Sequence, residues 1–152
     1  MSKLKLNEAR LGAEDMYKAY KKQNPDTDIT YPLYKTVLDL FNKKVATKIL
    51  DGHMFNMGSK LGTIRIKKIE RSPENKVINW PETQKMWEEQ GFKEGFVYFT
   101  DKYYYRWAWE KRRCTVKNKS VYKFWPTSGK NGLKRQLVAR LKNDPFASTN
   151  YS

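Results

Sequence analysis

Between Tyr103 and Arg113 the chain reads YYYRWAWEKRR, and five of the first seven residues are aromatic. With a period of two, Tyr103, Tyr105, Trp107 and Trp109 share one face, while Tyr104, Arg106, Ala108 and Glu110 share the other. A strand with so much apolar surface on one side has to be covered, so the chain is bound to form a sheet with other elements packed on it. The aromatic ladder is therefore expected to be core. A competing use of the same residues is a platform on which bases stack between cations. If the ladder is core, Tyr104 and Arg106 on the opposite face are better contact candidates than the tryptophans.

The flanking sequence supplies the other elements. Residues 13–23 (AEDMYKAYKKQ) are acidic at the start and basic at the end, as the helix dipole favours, and Asn24-Pro25 stops them. Thr30 is a natural N-cap with Pro32 in the first turn. Leu33, Val37, Leu38, Phe41, Val45 and Ile49 then recur at helical spacing up to Gly52, predicting a helix of about 19 residues with one buried stripe. Residues 63–71 (TIRIKKIER) alternate like a strand, with Ile64 and Ile66 on one side and Thr63, Arg65 and Lys67 on the other. A short strand at 77–79 precedes a helix of about ten residues that opens at Trp80-Pro81-Glu82 and ends at Gly91. Two hairpins are expected, one pairing 96–100 with 103–112 around Asp101-Lys102, the other pairing 113–116 with 120–125 around Asn118-Lys119. Leu133, Leu137 and Leu141 mark a last helix.

These elements predict an α+β fold, a single domain in which an antiparallel β-meander is packed with three to four helices. At 152 residues the chain is long enough to bury a core without staples. Residues 1–30 read as an N-terminal helical arm, 31–142 as the basic domain and 143–152 as a loose C-terminal tail.

Thirty-one Lys and Arg against 16 Asp and Glu give a net charge of +15. The excess is gathered in three segments: residues 60–71 carry a net +4, residues 102–123 a net +7 and residues 130–142 a net +5, so the rest of the chain sums to −1. If the fold brings these segments onto one surface, that surface suits a phosphate backbone or an acidic protein. If each faces solvent in its own direction, the protein is merely basic. The residues expected to meet a nucleic acid or acidic partner are Arg65, Lys67, Tyr104, Arg106, Arg112, Arg113, Lys134 and Arg135. Met54, Phe55 and Met57 lie in a glycine-punctuated loop. They either pack back on the core or form a knob for subunit contact.

Catalytic constellations are missing. His53 is the only histidine and Cys114 the only cysteine. A zinc site built from Cys and His lacks ligands, and Cys114 has no identifiable base despite the neighbouring Lys111, Arg112, Arg113 and Lys117. Ser128-Gly129-Lys130 falls short of a phosphate loop, because Phe124 stands where a glycine is required and Asn131 where Ser or Thr is. Gly129 and Gly132 before a basic helix can still place one phosphate at the helix N-terminus, although a flexible loop is the favoured expectation. The expectation is a protein without enzymatic activity, catalytic residues, metal, cofactor or small-molecule substrate. No run approaches the roughly 20 apolar residues of a membrane span, and the first residues lack the apolar core of a signal peptide. A lone cysteine fits a reducing compartment.

Four segments, YKTVLDLFNKKVATKILDGHMFNMGSKLGTIRIKKIER (34–71), INWPETQKMW (78–87), YFTDKYYYRWAWEKRRCTVKNKSVYKFWPTSGKNG (98–132) and KRQLVARLK (134–142), resemble a family of small basic proteins of tailed phages, notably crAss-like phages of gut Bacteroidales. The likeness covers most of residues 31–142 and carries no catalytic motif. It implies a virion structural or assembly protein, such as a head auxiliary or connector-ring component. The basic surface would face DNA or acidic neighbouring subunits, the chain would assemble as a homo-oligomeric ring or array, and its place would be the virion, with the host cytoplasm during assembly. The alternative is a phage-encoded cytoplasmic nucleic-acid-binding regulator.

Overall fold

A computed structural model describes residues 12–58 and 60–152. The chain is α+β, and the described residues form four α-helices and one three-stranded antiparallel sheet in the order β1-β2-β3. It divides into two compact units, Met1–Ala46 and Thr47–Ser152. The division falls inside a helix, away from the expected boundary at residue 30.

In the first unit, α1 (Ala13–Gln23) begins at Gly12, whose amide donates to the Asp15 carboxylate at 2.9 Å. It runs to Asn24, as the charge pattern and the following proline predict. Its tyrosines meet the first turns of α2 (Tyr31–Leu50), with ring centroids 5.4 Å apart for Tyr17–Tyr31 and Tyr17–Tyr34 and 5.3 Å for Tyr20–Tyr34. That contact joins the start of α2 to α1, so residue 30 is no boundary. The single buried stripe expected on α2 is not found. Leu33, Val37 and Leu40 are all more than half exposed, and only Ile49, in the last turn, is fully buried. An eleven-residue α1 that meets α2 through tyrosines at its beginning is too short to cover a helix of 20 residues.

The second unit is organised by one long pairing. Strand β2 (Thr63–Glu70) runs antiparallel to β3 (Tyr103–Glu110) over all eight residues, which sets Ile64 opposite Trp109 and Ile66 opposite Trp107. Ile66 and Trp107 are buried at the centre of the pairing, but burial does not alternate along either strand: Thr63, Arg65, Tyr104, Ala108 and Glu110, expected on the outer face, are half-buried like the residues beside them. Strand β1 (Phe55–Asn56) adds only two residues beside Ile64 and Thr63. The turn from β1 into β2 requires Gly62, whose φ is +83° and whose missing Cβ would collide with the Glu110 carbonyl.

Neither expected hairpin forms. Residues 96–100 make only a bridge, Tyr98 against Ile78, and β3 turns instead to β2. The reason is complementarity. Strand β2 matches β3 in length and sets isoleucines against its tryptophans, whereas the local partner would offer five residues after a glycine. Residues 113–116 and 120–125 form no strand, although the turn between them is real, with Asn118 at φ +55° and the Val121 amide on the Asn118 carbonyl. The Lys111 ammonium holds that turn from the side by donating to the Lys119 and Tyr122 carbonyls.

Helix α3 (Trp80–Gln90) opens at Trp80-Pro81 and ends at Gly91, as predicted, but Asn79, expected at the end of a short strand, is its cap. Its Thr83, fully buried, accepts from the Val97 amide at 3.0 Å. Helix α4 (Leu133–Asn143) lays Leu137 against β3, and the Trp107 indole donates to the Leu133 carbonyl at 2.9 Å. The last residues are no loose tail. A 3-10 turn, Ala147–Asn150, buries Ala147 and Tyr151, and the Tyr151 hydroxyl donates to the Leu50 carbonyl at 2.6 Å. Beyond it the Ser152 carbonyl accepts from the Lys68 amide, on the stretch of β2 that the short β1 leaves unpaired. An open strand edge and an aromatic residue at 151 explain why this end docks.

Candidate functional site

Because β3 is the last strand of the sheet, its outer edge has no partner strand among the described residues. Along that edge lies a cleft of about 760 Å³. One wall is β3 itself from Tyr105 to Trp109, a second is the extended segment Lys123-Phe124-Trp125-Pro126, and α4 closes the rest with Lys134, Leu137, Val138 and Leu141. The failed second hairpin creates this space, since residues 123–126 face the edge of β3 across the cleft without pairing to it. Proline at 126 removes a backbone donor and keeps Trp125 extended, both of which disfavour a regular strand there.

The walls are held by specific bonds. Trp107 is fixed by the Leu133 carbonyl and Trp109 by the Leu61 carbonyl at 2.6 Å. The start of α4 is fixed by Thr127, whose hydroxyl accepts from the Leu133 amide at 3.0 Å and whose carbonyl accepts from the Lys134 amide at 3.2 Å. Those bonds also answer the suggestion of a phosphate at this helix N-terminus, because Thr127 already occupies the amides such an anion would need.

Among the described residues, five aromatic rings and four cations line the cleft, and no carboxylate does. Lys111 is engaged by the 117–122 turn and lies over the Trp109 ring at 4.7 Å. Arg106, Lys123 and Lys134 are exposed, and among the described residues no carboxylate comes within ion-pair distance of them. Trp125 is 74% exposed. Cations beside flat apolar rings, without competing acids, form an environment for an anion that carries apolar surface.

The residues singled out from sequence are only partly gathered. Arg106 and Lys134 line the cleft. Lys67 stands opposite Arg106 in the β2–β3 register and is exposed, so the two cations share a sheet face. Arg135 is exposed on α4 outside the cleft. Arg65 is engaged elsewhere. Its guanidinium donates to the Glu110 carboxylate and to the Ser152 hydroxyl, both at 2.6 Å, and its side chain is 19% exposed. Tyr104 is half-buried beneath the Arg71 guanidinium, 5.0 Å from the ring centroid, and Phe99 lies 4.4 Å from the same cation. Arg112 and Arg113 border a separate hollow of about 540 Å³ with Met54, Thr63 and Glu110. Of the loop residues, Met54 is exposed, Phe55 is half-buried in β1, and Met57 is half-buried with its amide on the Gly62 carbonyl.

The ladder divides in a way that alternation does not foretell. Trp107 is buried, and Tyr105 is half-buried against Tyr151 at 5.6 Å, yet both border the cleft at the strand edge. Trp125 and Lys123 were not among the sequence candidates. The signal was a basic residue alternating with Tyr122, Phe124 and Trp125 just before a proline, which disfavours a buried strand. Cys114 is buried, with its thiol on the Lys60 carbonyl at 3.0 Å, and is no accessible nucleophile. Among the described residues no three His, Cys, Asp or Glu side chains meet as a metal site would need, and no helix is long and apolar enough to cross a membrane. No known protein family, curated protein or solved structure matches this chain.

Proposed function

We propose that the chain is a non-enzymatic nucleic-acid-binding protein and that the cleft along the free edge of β3 is where the nucleic acid sits. The observation that carries this reading is the trio Arg106, Lys123 and Lys134, exposed and unpaired around an aromatic cleft that contains no acid. A phosphate backbone supplies the missing negative charge, and its counterions are released on contact. Fluorescence anisotropy with labelled oligonucleotides across a salt series tests it. Log affinity falls with log salt by roughly 0.7 to 0.9 per phosphate neutralised. Replacing Arg106, Lys123 and Lys134 together by alanine weakens binding and flattens the slope. Failure to bind any oligonucleotide at low salt ends the proposal.

A second reading places the chain in a phage particle as a structural or assembly component, with the same basic face against DNA or an acidic neighbouring subunit. Its support is the resemblance to small basic phage proteins together with the exposed Leu33, Val37 and Leu40 on α2 and Met54 just before β1, apolar groups suited to contact between subunits. Mass spectrometry of purified particles of a phage that encodes the protein decides it: a fixed copy number supports incorporation, and absence rules it out.

A further inference from the structure

We infer that the cleft takes single-stranded nucleic acid, with an unpaired base laid on Trp125. The inference rests on the nucleic-acid reading above and narrows it to one class of ligand.

The indole of Trp125 is 74% exposed, and among the described residues no other ring stacks on it. An aromatic face in a cationic surround attracts a flat group attached to an anion. In a duplex the faces of the bases are covered by their neighbours, so only an unpaired base can lie on the ring. The cleft, at about 760 Å³, has the volume of a pocket that encloses a small molecule and offers the apolar side chains of Leu137, Val138 and Leu141. A duplex that touched only Arg106, Lys123 and Lys134 through its phosphates would leave that apolar interior empty. A strand with splayed bases uses the cations and the interior together. Two of the walls are already fixed, β3 by Trp107 on the Leu133 carbonyl and α4 by Thr127 at its head, so less ordering cost falls on binding. Charge alone would equally welcome an acidic peptide, but a carboxylate side chain has no flat apolar face to set against Trp125.

Anisotropy of the full chain with oligo(dT), with oligo(U) and with a duplex, each about a dozen nucleotides long, tests the inference at one salt concentration, with oligoglutamate as a competitor. Single strands are expected to bind at least about tenfold tighter than the duplex and to quench tryptophan fluorescence. Comparing oligo(dT) with oligo(U) tells which sugar is preferred. Trp125→Ala is expected to weaken single-strand binding by about 5- to 100-fold and duplex binding by much less, while Trp125→Phe recovers most of the loss. The exposure of Trp125 keeps these variants folded, which circular dichroism verifies. Equal affinity for duplex and single strand with no effect of Trp125→Ala overturns this inference and leaves the nucleic-acid reading standing. Displacement by oligoglutamate as effective as by oligo(dT) also overturns it, since charge would then be sufficient. Binding to none of the nucleic acids overturns both.

Discussion

Tyr151 shows how much one side chain at the end of the chain contributes. Its ring is buried beside Tyr105, and its hydroxyl donates to the Leu50 carbonyl, tying the end of α2 to the C-terminal 3-10 turn. Burial pushes the phenol above its usual pKa, Asp51 and Asp144 act in the same direction, and Arg140 opposes them. A group whose folded pKa is raised stabilises the fold fully below its unfolded value, about 10 for tyrosine, and loses that contribution as pH climbs through the raised value. Stability is therefore expected to decline at alkaline pH. Tyr151→Phe keeps the ring, removes the hydrogen bond at a cost of about 1 kcal/mol near neutral pH, and flattens the alkaline decline. Urea unfolding of both proteins at neutral pH and above pH of about 10 measures both effects.

Among the elements, the helices were the legible part, and the strand partners were not. Asn79 before Pro81, Gly91 after the last turn, and Asn24-Pro25 after α1 are local signals, and each ends or begins a helix where it stands. Pairing is not local. Period-two alternation locates β2 and β3, but nothing near Asp101-Lys102 records that β3 prefers a strand more than 30 residues upstream. The site suffered the same loss. Arg106 and Lys134 are legible because they lie in charged segments, whereas the alternation around Trp125 points to a strand that does not form, and nothing near Arg65 in the sequence shows that Glu110 and Ser152 hold it. The contact that replaces the first hairpin is itself testable. Thr83 of α3 takes the Val97 amide at 3.0 Å and reaches the Val97 carbonyl at 3.4 Å from a fully buried position. Thr83→Val matches the shape but leaves that amide without a partner, which is expected to cost about 1–3 kcal/mol in chemical denaturation. Thr83→Ser retains the hydroxyl and is expected to recover much of the loss.

Across the whole chain, charge is divided unevenly. From Thr47 to Ser152 there are 22 Lys and Arg against ten Asp and Glu, so this unit carries +12 of the total +15. Several of its acids are paired internally, as Glu110 is with Arg65, Glu70 with Lys102, and Asp51 and Asp144 with Arg140. The remaining cations repel one another over a distance set by the Debye length, about 30 Å at 0.01 M salt and about 8 Å at 0.15 M. Two agents relieve that repulsion in distinguishable ways. Sodium chloride screens every cation alike, so raising it from about 0.01 to 0.15 M is expected to lift the melting temperature by a few degrees. If the cleft binds a single strand as proposed, an oligonucleotide at about a hundred times its dissociation constant adds up to about 2.7 kcal/mol, worth several degrees more, less what its attraction to the basic unfolded chain removes. The two effects oppose each other, because salt weakens the strand's hold while it screens the protein. Thermal melts of the wild type and of the double variant Lys123→Ala, Trp125→Ala separate them. The variant is expected to keep the gain from sodium chloride and to lose most of the gain from the oligonucleotide. If it keeps both, the oligonucleotide is neutralising the basic surface at large, and the cleft beside β3 is not where it binds.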